Sequence, residues 1–134
     1  MNTSIAQQRI DLFPIPTQIT GPGGTARLSI AGCDLVALAE QYGTPLYIYD
    51  RATLDNAVQQ YRQALADAYP ASSGITYAAK AFLCTAVAQW AQQQDLLIDC
   101  TGAGEIAVVA AAHTPRQNIL VHGVNKSIED LHAA

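Results

Sequence analysis

Apolar residues recur at helical spacing in one part of the chain and form short continuous runs in others. Within residues 51–67 the apolar positions follow one helix face, at Leu54, Ala57, Val58, Tyr61 and Leu65. This spacing is typical of an amphipathic helix that buries one side. Pro70 and Gly74 follow closely, so we predict that the helix ends before them.

After Gly74, three short apolar runs alternate with three helical patterns. The predicted strands and helices are residues 75–78 before a helix with Leu83, Val87, Trp90 and Ala91, then 96–99 before 106–112, then 119–122 before Ser127 onward. Residues 127–130 also have the spacing of a capping box. Strands that alternate with helices form parallel sheets, because a crossover must return the chain. We therefore predict an α/β fold, either an open sheet or the first three to four β/α units of a partial (β/α)8 TIM-type barrel, which takes about 250 residues when complete.

The first 50 residues have a different pattern. Residues 1–25 are polar and rich in Gly and Pro, which predicts an irregular leader. Residues 26–30 and 46–49 are short β-rich runs, and between them Asp34 is a candidate N-cap for a helix that Gly43 ends. The predicted organisation is an irregular leader at 1–25, a strand-helix-strand lead segment at 26–50, and the truncated first part of a β/α domain at 51–134.

Composition narrows the class of protein. The 134 residues are 50% hydrophobic and 13% charged, with a net charge of -4 at pH 7, which suits one buried core and is unlike a disordered tail. No basic cluster favours a nucleic-acid or membrane partner, and no segment has the pattern of a membrane helix or signal peptide. Cys33, Cys84 and Cys100 lack the spacing of a zinc site or redox pair. We therefore expect a cytoplasmic protein with reduced thiols and no metal.

Lys80 is one of only two lysines and directly follows the apolar run at 75–78. Its neighbours are small, since residues 77–82 are Tyr-Ala-Ala-Lys-Ala-Phe. Parallel α/β folds place their chemistry at the carboxyl ends of strands. Burial there disfavours the charged ammonium and leaves a neutral amine that can attack an aldehyde. The competing interpretation is a lysine whose stem packs on the strand while its head stays in water.

Two acidic residues follow the next predicted strand. Asp99 closes that strand and Glu105 comes after a glycine turn, so both are candidates to face the same sheet edge as Lys80. A carboxylate a few Å away would stabilise a protonated amine. The alternatives are local, with Asp99 capping the following turn and Glu105 lying at the positive end of a helix. His122 and Asn125 follow the third strand and stay unassigned, because a lone His is more often structural than catalytic.

Residues 102–107, Gly-Ala-Gly-Glu-Ile-Ala, also fit a dinucleotide-binding pattern. That pattern requires an acidic residue about 20 positions later, at the end of the next strand, to bind a ribose. Residues 119–123 contain no acid, and the next one is Glu129. A nicotinamide site is therefore the weaker of the two hypotheses.

Four segments together carry a family pattern: Gly-Thr-Pro-Leu-Tyr-Ile-Tyr-Asp at 43–50, the lysine run at 77–82, Asp-Cys-Thr-Gly-Ala-Gly-Glu at 99–105, and His-Gly-Val-Asn-Lys-Ser at 122–127. In order and spacing they resemble the fold type III pyridoxal-phosphate enzymes, the alanine racemase-like group that includes the diaminopimelate, ornithine and arginine decarboxylases. The first and last segments favour the diaminopimelate branch. The chain departs from the family pattern at Asp95, Ala103 and Val124.

The resemblance implies pyridoxal 5'-phosphate as the cofactor, Lys80 as the catalytic residue that holds it, and Asp99 and Glu105 beside it. It implies a barrel joined to a second, mainly β domain that includes the lead segment, and a homodimer. The implied reaction converts meso-diaminopimelate to L-lysine and CO2 in lysine biosynthesis. An ornithine, arginine or carboxynorspermidine decarboxylase, a racemase, and a non-catalytic pyridoxal-phosphate carrier or regulator remain as alternatives. Because the later barrel is missing, the 134 residues alone are expected to be inactive.

Overall fold

A computed structural model describes residues 9–123 and 126–133 of the chain. The chain divides into two compact units, Met1–Gln59 and Gln60–Ala134. The boundary falls inside a long helix, whereas the sequence pattern places the division at the start of that helix. None of the helices in the described ranges is both long and apolar enough to cross a membrane.

The first unit contains a small antiparallel sheet in the order β1-β2-β3. Its strands are β1 (Thr17–Thr20), β2 (Arg27–Ile30) and β3 (Cys33–Asp34). β2 confirms the strand predicted at 26–30. The prediction of an irregular leader is wrong at β1, which pairs with β2 along its whole length. β1 is only four residues long and is flanked by Pro14, Pro16 and Pro22, so it is difficult to predict from the sequence.

Asp34 is the N-cap of helix α1 (Leu35–Tyr42), as predicted. Its Oδ1 accepts a hydrogen bond from the Ala37 backbone N–H at 2.9 Å, and its Oδ2 lies 3.1 Å from Arg27 Nη1. The Ala37 N–H bond, followed by the Arg27 guanidinium, lowers the pKa of the Asp34 carboxyl. Gly43 ends the helix with a φ of 83°, a conformation that glycine adopts without strain.

The strand predicted at residues 46–49 is wrong for the described part of the chain. Neither sheet includes these residues, and all four are exposed, with Tyr47 at 86%. A strand is defined by hydrogen bonds to a neighbouring strand, so β propensity alone does not make residues 46–49 a strand. Asp50 follows and accepts hydrogen bonds from the N–H and hydroxyl of Thr53, at the start of the next helix.

Helix α2 (Arg51–Ala68) matches the amphipathic segment predicted from periodicity. It is followed by the elements β4 (Thr76–Ala78), α3 (Thr85–Gln93), β5 (Leu97–Cys100), α4 (Ala103–Ala111), β6 (Ile119–Val121) and α5 (Ile128–Ala133). The strands form a parallel sheet in the order β4-β5-β6, as expected for alternating strands and helices. The register pairs Ala78 with Asp99 and Cys100 with Val121.

The core of the second unit lies between this sheet and helices α3 and α4, which contact each other. Its largest fully buried side chains are Ile98, Val109 and Cys100. Thr114 is a buried polar residue, and Gln92 Nε2 donates to its hydroxyl at 2.9 Å, so this hydroxyl has a partner. The sheet is therefore held rigidly on the side that α3 and α4 cover.

Helix α5 begins with the capping box predicted at residues 127–130. The Asp130 N–H donates to Ser127 Oγ at 3.0 Å, and the Ser127 N–H donates to Asp130 Oδ2 at 3.1 Å. The hydrogen bond from the Ser127 backbone N–H lowers the pKa of Asp130, and its hydroxyl adds to the effect. Leu83 lies before α3 rather than within it, and α4 begins three residues before Ile106.

Candidate functional site

Lys80 lies in a single 3-10 turn, Ala79–Ala81, immediately after β4. The turn contacts β5, and its first residue, Ala79, is buried. The Lys80 side chain is exposed and forms no ion pair with a carboxylate in the described part of the chain. The expected burial of this amine is therefore wrong among the described residues, because Lys80 lies in a turn beyond the end of β4 and not within the sheet.

The turn that carries Lys80 is anchored on both sides. The Tyr77 hydroxyl donates a hydrogen bond to the Phe82 carbonyl oxygen at 2.6 Å. The Tyr77 ring also meets the edge of Trp90, with ring centroids 5.9 Å apart at 84°. Because the bond closes a loop of six residues around Lys80, Tyr77 holds the lysine backbone at the end of β4. This role was not predicted from the sequence.

Asp99 lies beside β4 near the end of β5, opposite Ala78 in the parallel register. Its side chain is 21% exposed. Oδ1 is buried and has no hydrogen-bond partner among the described residues, while Oδ2 lies 3.5 Å from His122 Nδ1. A buried acceptor without a donor is unfavourable, so this oxygen is suited to receive an N–H or O–H from a bound group.

Glu105 is in the first turn of α4, and its Oε2 accepts from the Thr101 N–H at 2.6 Å and from the Thr101 hydroxyl at 3.0 Å. These contacts match the local interpretation of this residue, a carboxylate at a helix N-terminus. The Ala103 N–H in the same turn donates to Asp130 Oδ1 at 3.2 Å. Glu105 thus orders the loop between Asp99 and α4.

His122, which sequence reasoning left unassigned, is the residue that the structure adds to this edge. Its backbone N–H donates to the Cys100 carbonyl oxygen at 2.8 Å, continuing the β5–β6 ladder by one residue. The ring is 75% exposed and faces Asp99. Its position directly after the third strand was the only signal in the sequence. Asn125 and Val124 lie outside the described residues.

Cys100 follows Asp99 and is completely buried. Burial, and after it the negative charges of Glu105 and Asp99, raise the pKa of this thiol to about 11. The thiolate is the reactive form of cysteine, so the Cys100 thiol is chemically inert at neutral pH. Cys100 is therefore a core residue beneath the site and takes no part in the proposed reaction.

We expect thiol reagents at pH 8 to modify exposed Cys33 in the folded protein and to leave Cys100 unmodified until it unfolds. The folded protein binds the Cys100 proton more tightly than the unfolded chain. The stability gained from this tighter proton binding is therefore fully present below the ordinary pKa of 9.0 and is lost as the pH rises towards 11. Peptide mapping after pulse labelling checks both points, and Cys100 labelling as fast as Cys33 would contradict them.

At the carboxyl edge of the sheet, the Lys80 amine lies in the turn after β4, and Asp99 near the end of β5 pairs with His122 after β6. The Glu105 carboxylate lies in the first turn of α4, where it binds Thr101. A primary amine can bond covalently to an aldehyde, and nearby carboxylates can stabilise the protonated nitrogen. The unpartnered Asp99 Oδ1 is an acceptor for such a nitrogen. These residues fit an aldehyde cofactor of the pyridoxal type.

Among curated proteins, the chain is similar to diaminopimelate decarboxylases from several bacteria. It is 39% identical to that of Synechocystis over 92% of this chain and 28% of the relative. It is 44% identical to that of Mycobacterium tuberculosis H37Rv over 78% and 23%, and 40% identical to that of Bacillus subtilis over 80% and 24%. The chain thus spans about a quarter of the length of these relatives.

Two solved structures have the same fold in this region. A diaminopimelate decarboxylase from M. jannaschii superposes with a TM-score of 0.75 at 24% identity, over 88% of this chain and 27% of that one. A protein from Aquifex aeolicus superposes with a TM-score of 0.64 at 28% identity, over 84% and 27%. Residues 51–134 match the family described as pyridoxal-dependent decarboxylase, pyridoxal binding domain. By this match the chain belongs to the pyridoxal-dependent decarboxylases, and it contains part of their pyridoxal-binding domain.

Proposed function

We propose that the complete protein is a pyridoxal-phosphate-dependent carboxy-lyase that converts meso-diaminopimelate to L-lysine and CO2. The observation that carries the proposal is the position of Lys80 in the turn directly after β4, with Asp99 near the end of the neighbouring strand β5, in a domain of the pyridoxal-binding family. The similarity to diaminopimelate decarboxylases at 36–44% identity supports this substrate over ornithine or arginine. An enzyme with this reaction would serve lysine biosynthesis.

Each residue of the edge has a separate part in this proposal. Lys80 Nζ holds the cofactor covalently, because it is the amine at the end of β4. Asp99 Oδ1 accepts a hydrogen bond from a proton-bearing nitrogen of the bound group and stabilises its positive charge. Glu105 binds Thr101 through Oε2 and would hold the loop between Asp99 and α4 in place around the cofactor. When bound, pyridoxal phosphate supplies the electron sink that accepts the electron pair left by the departing carboxylate.

Four further features of the complete protein belong to the proposal. The sheet β4-β5-β6 and its helices are the first units of a (β/α)8 barrel, and residues 26–50 contribute to a second, mainly β domain. This arrangement is supported by the fold shared with the M. jannaschii enzyme. The complete protein is a homodimer in the cytoplasm. The free state of Cys33, Cys84 and Cys100 agrees with that compartment.

Reductive trapping of the complete gene product tests the lysine assignment. After incubation with pyridoxal phosphate and borohydride, we expect peptide mapping to find the cofactor mass on the peptide with Lys80. The peptide with Lys126 is the matched control, because these are the two lysines of the chain. Cofactor mass on Lys126 alone, or on neither peptide, would overturn the assignment.

A substrate panel tests the reaction. We expect release of CO2 and L-lysine from meso-diaminopimelate, and kcat/KM values for ornithine and arginine at least about 100-fold lower, since a site built for one set of polar groups rejects substrates that leave them unpaired. A preference for ornithine or arginine would mean that the proposed substrate is wrong, whereas the proposed cofactor would stand. Cofactor binding without release of CO2 from any of the three would refute the decarboxylase.

A further inference from the structure

The two oxygens of Asp99 lie in different surroundings. Oδ2 is 3.5 Å from the Nδ1 of His122, whereas Oδ1 is buried without a hydrogen-bond partner among residues 9–123 and 126–133. A carboxylate rotates readily about its last side-chain bond, because that torsion has broad, two-fold preferences. A contact with a neighbouring residue is therefore needed to fix which oxygen points towards the imidazole and which can accept a hydrogen bond from a bound group.

We propose that His122 is a positioning residue of the decarboxylase, holding Asp99 Oδ2 so that Oδ1 stays directed at the proton-bearing nitrogen of the bound cofactor or substrate. The proposal rests on the function proposed above and assigns a role to a residue that acts through Asp99. It concerns the orientation of one carboxylate. His122 itself does not touch the reacting atoms in this assignment.

Backbone hydrogen bonds between β5 and β6 place His122 beside Asp99. The His122 N–H donates to the Cys100 carbonyl oxygen at 2.8 Å, and Asp99 precedes Cys100 on β5. The parallel register therefore places the imidazole next to the carboxylate on neighbouring strands. Because the His122 side chain is 75% exposed, its pairing with Asp99 adds little to the stability of the fold. The contact is therefore better explained by its effect on the orientation of the Asp99 carboxylate than by a contribution to the stability of the fold.

The imidazole acts on one oxygen of the carboxylate. An N–H at Nδ1 holds Oδ2, so that Oδ1 remains available as an acceptor. Without the ring, the carboxylate turns towards solvent and the hydrogen bond to the bound nitrogen is made less often. Misorientation of a group that acts at the reaction centre reduces turnover more than substrate binding.

Kinetics of three variants of the complete enzyme test this role. We expect His122→Ala to lower kcat about tenfold or more with a smaller change in KM. His122→Asn should recover most of the loss, because its amide can donate from near the position of Nδ1. His132→Asn, a matched change at an exposed histidine on α5, should leave both constants within about twofold. Equal losses in Ala and Asn variants, or wild-type kcat in His122→Ala, would overturn the proposal.

A measurement without turnover separates this proposal from the proposed function. In protein with isotope-labelled histidine, the imidazole nitrogen signal that disappears in His122→Asn identifies His122. We expect Asp99→Asn to shift this signal and to leave that of His132 unchanged; an unchanged His122 signal would overturn the pair. If wild-type protein binds no pyridoxal phosphate at Lys80, the proposed function fails and the catalytic role of His122 with it. If the wild type is active and His122→Ala matches it, only the role of His122 fails.

Discussion

Replacing Lys80 with Ala is expected to abolish covalent attachment of pyridoxal phosphate and to lower kcat/KM for meso-diaminopimelate by about 10³-fold or more. The variant removes the amine at the end of β4, and loss of a residue that bonds covalently to the reacting group has effects of this order or larger. The side chain is exposed and forms no ion pair with the described carboxylates, so its loss should hardly change stability. Absorbance of the bound cofactor and CO2 release measure the two effects.

Lys126→Ala is the matched control for Lys80→Ala. Its ammonium donates to the Gly123 carbonyl oxygen at 3.2 Å, an exposed contact three residues away in the chain. We expect this variant to retain covalent cofactor and to remain within a few-fold of wild-type activity. If Lys80→Ala retained the reducible cofactor, or if the Lys126 variant lost it, the assignment of Lys80 would be wrong.

Ile98→Ala is expected to reduce the free energy of unfolding of the 134-residue chain by about 3 kcal/mol, within the usual range for truncating a buried Ile. Ile98 is 0% exposed on β5, the central strand of the parallel sheet. The change removes methyl and methylene groups from a core that α3 and α4 cover, and the rigid sheet cannot close the cavity. Trp90, the only Trp, is buried in the same core, so its fluorescence can follow urea denaturation.

Ile128→Ala makes the same chemical change on α5, where the side chain is 70% exposed. We expect a loss within about 0.5 kcal/mol, the usual limit for exposed positions. Equal destabilisation by the two variants would mean that Ile98 is not in the core of a folded unit. A loss in Ile98→Ala without any change in the Trp90 transition would mean that Trp90 does not report on this core.

Features that depend on neighbouring residues in the chain could be predicted from the sequence. Helix α2 follows from the spacing of its apolar residues, and the observed helix ends one residue after the predicted segment 51–67. The caps Asp34 and Ser127 were also predicted, because their side chains bind N–H groups only three residues away. The alternation of strands and helices was sufficient to predict the parallel sheet, since few connections can join such elements.

Features that depend on a distant partner were predicted wrongly or missed. β1 lies among prolines in the leader and exists because β2 pairs with it. Residues 46–49 have strong β propensity and belong to neither sheet. Lys80 was placed correctly at the end of β4, whereas its exposure depends on which elements cover that edge.

Local spacing and side-chain type were enough to specify helix α2, the caps at Asp34 and Ser127, and the alternation of strands and helices. The folded chain alone shows that His122 faces Asp99, and that one oxygen of Asp99 is buried with no donor among the residues described. These two residues are 23 positions apart and meet through the register of β5 and β6. A register is set by backbone hydrogen bonds along the whole ladder, and such bonds leave no mark on the individual residues that they bring together.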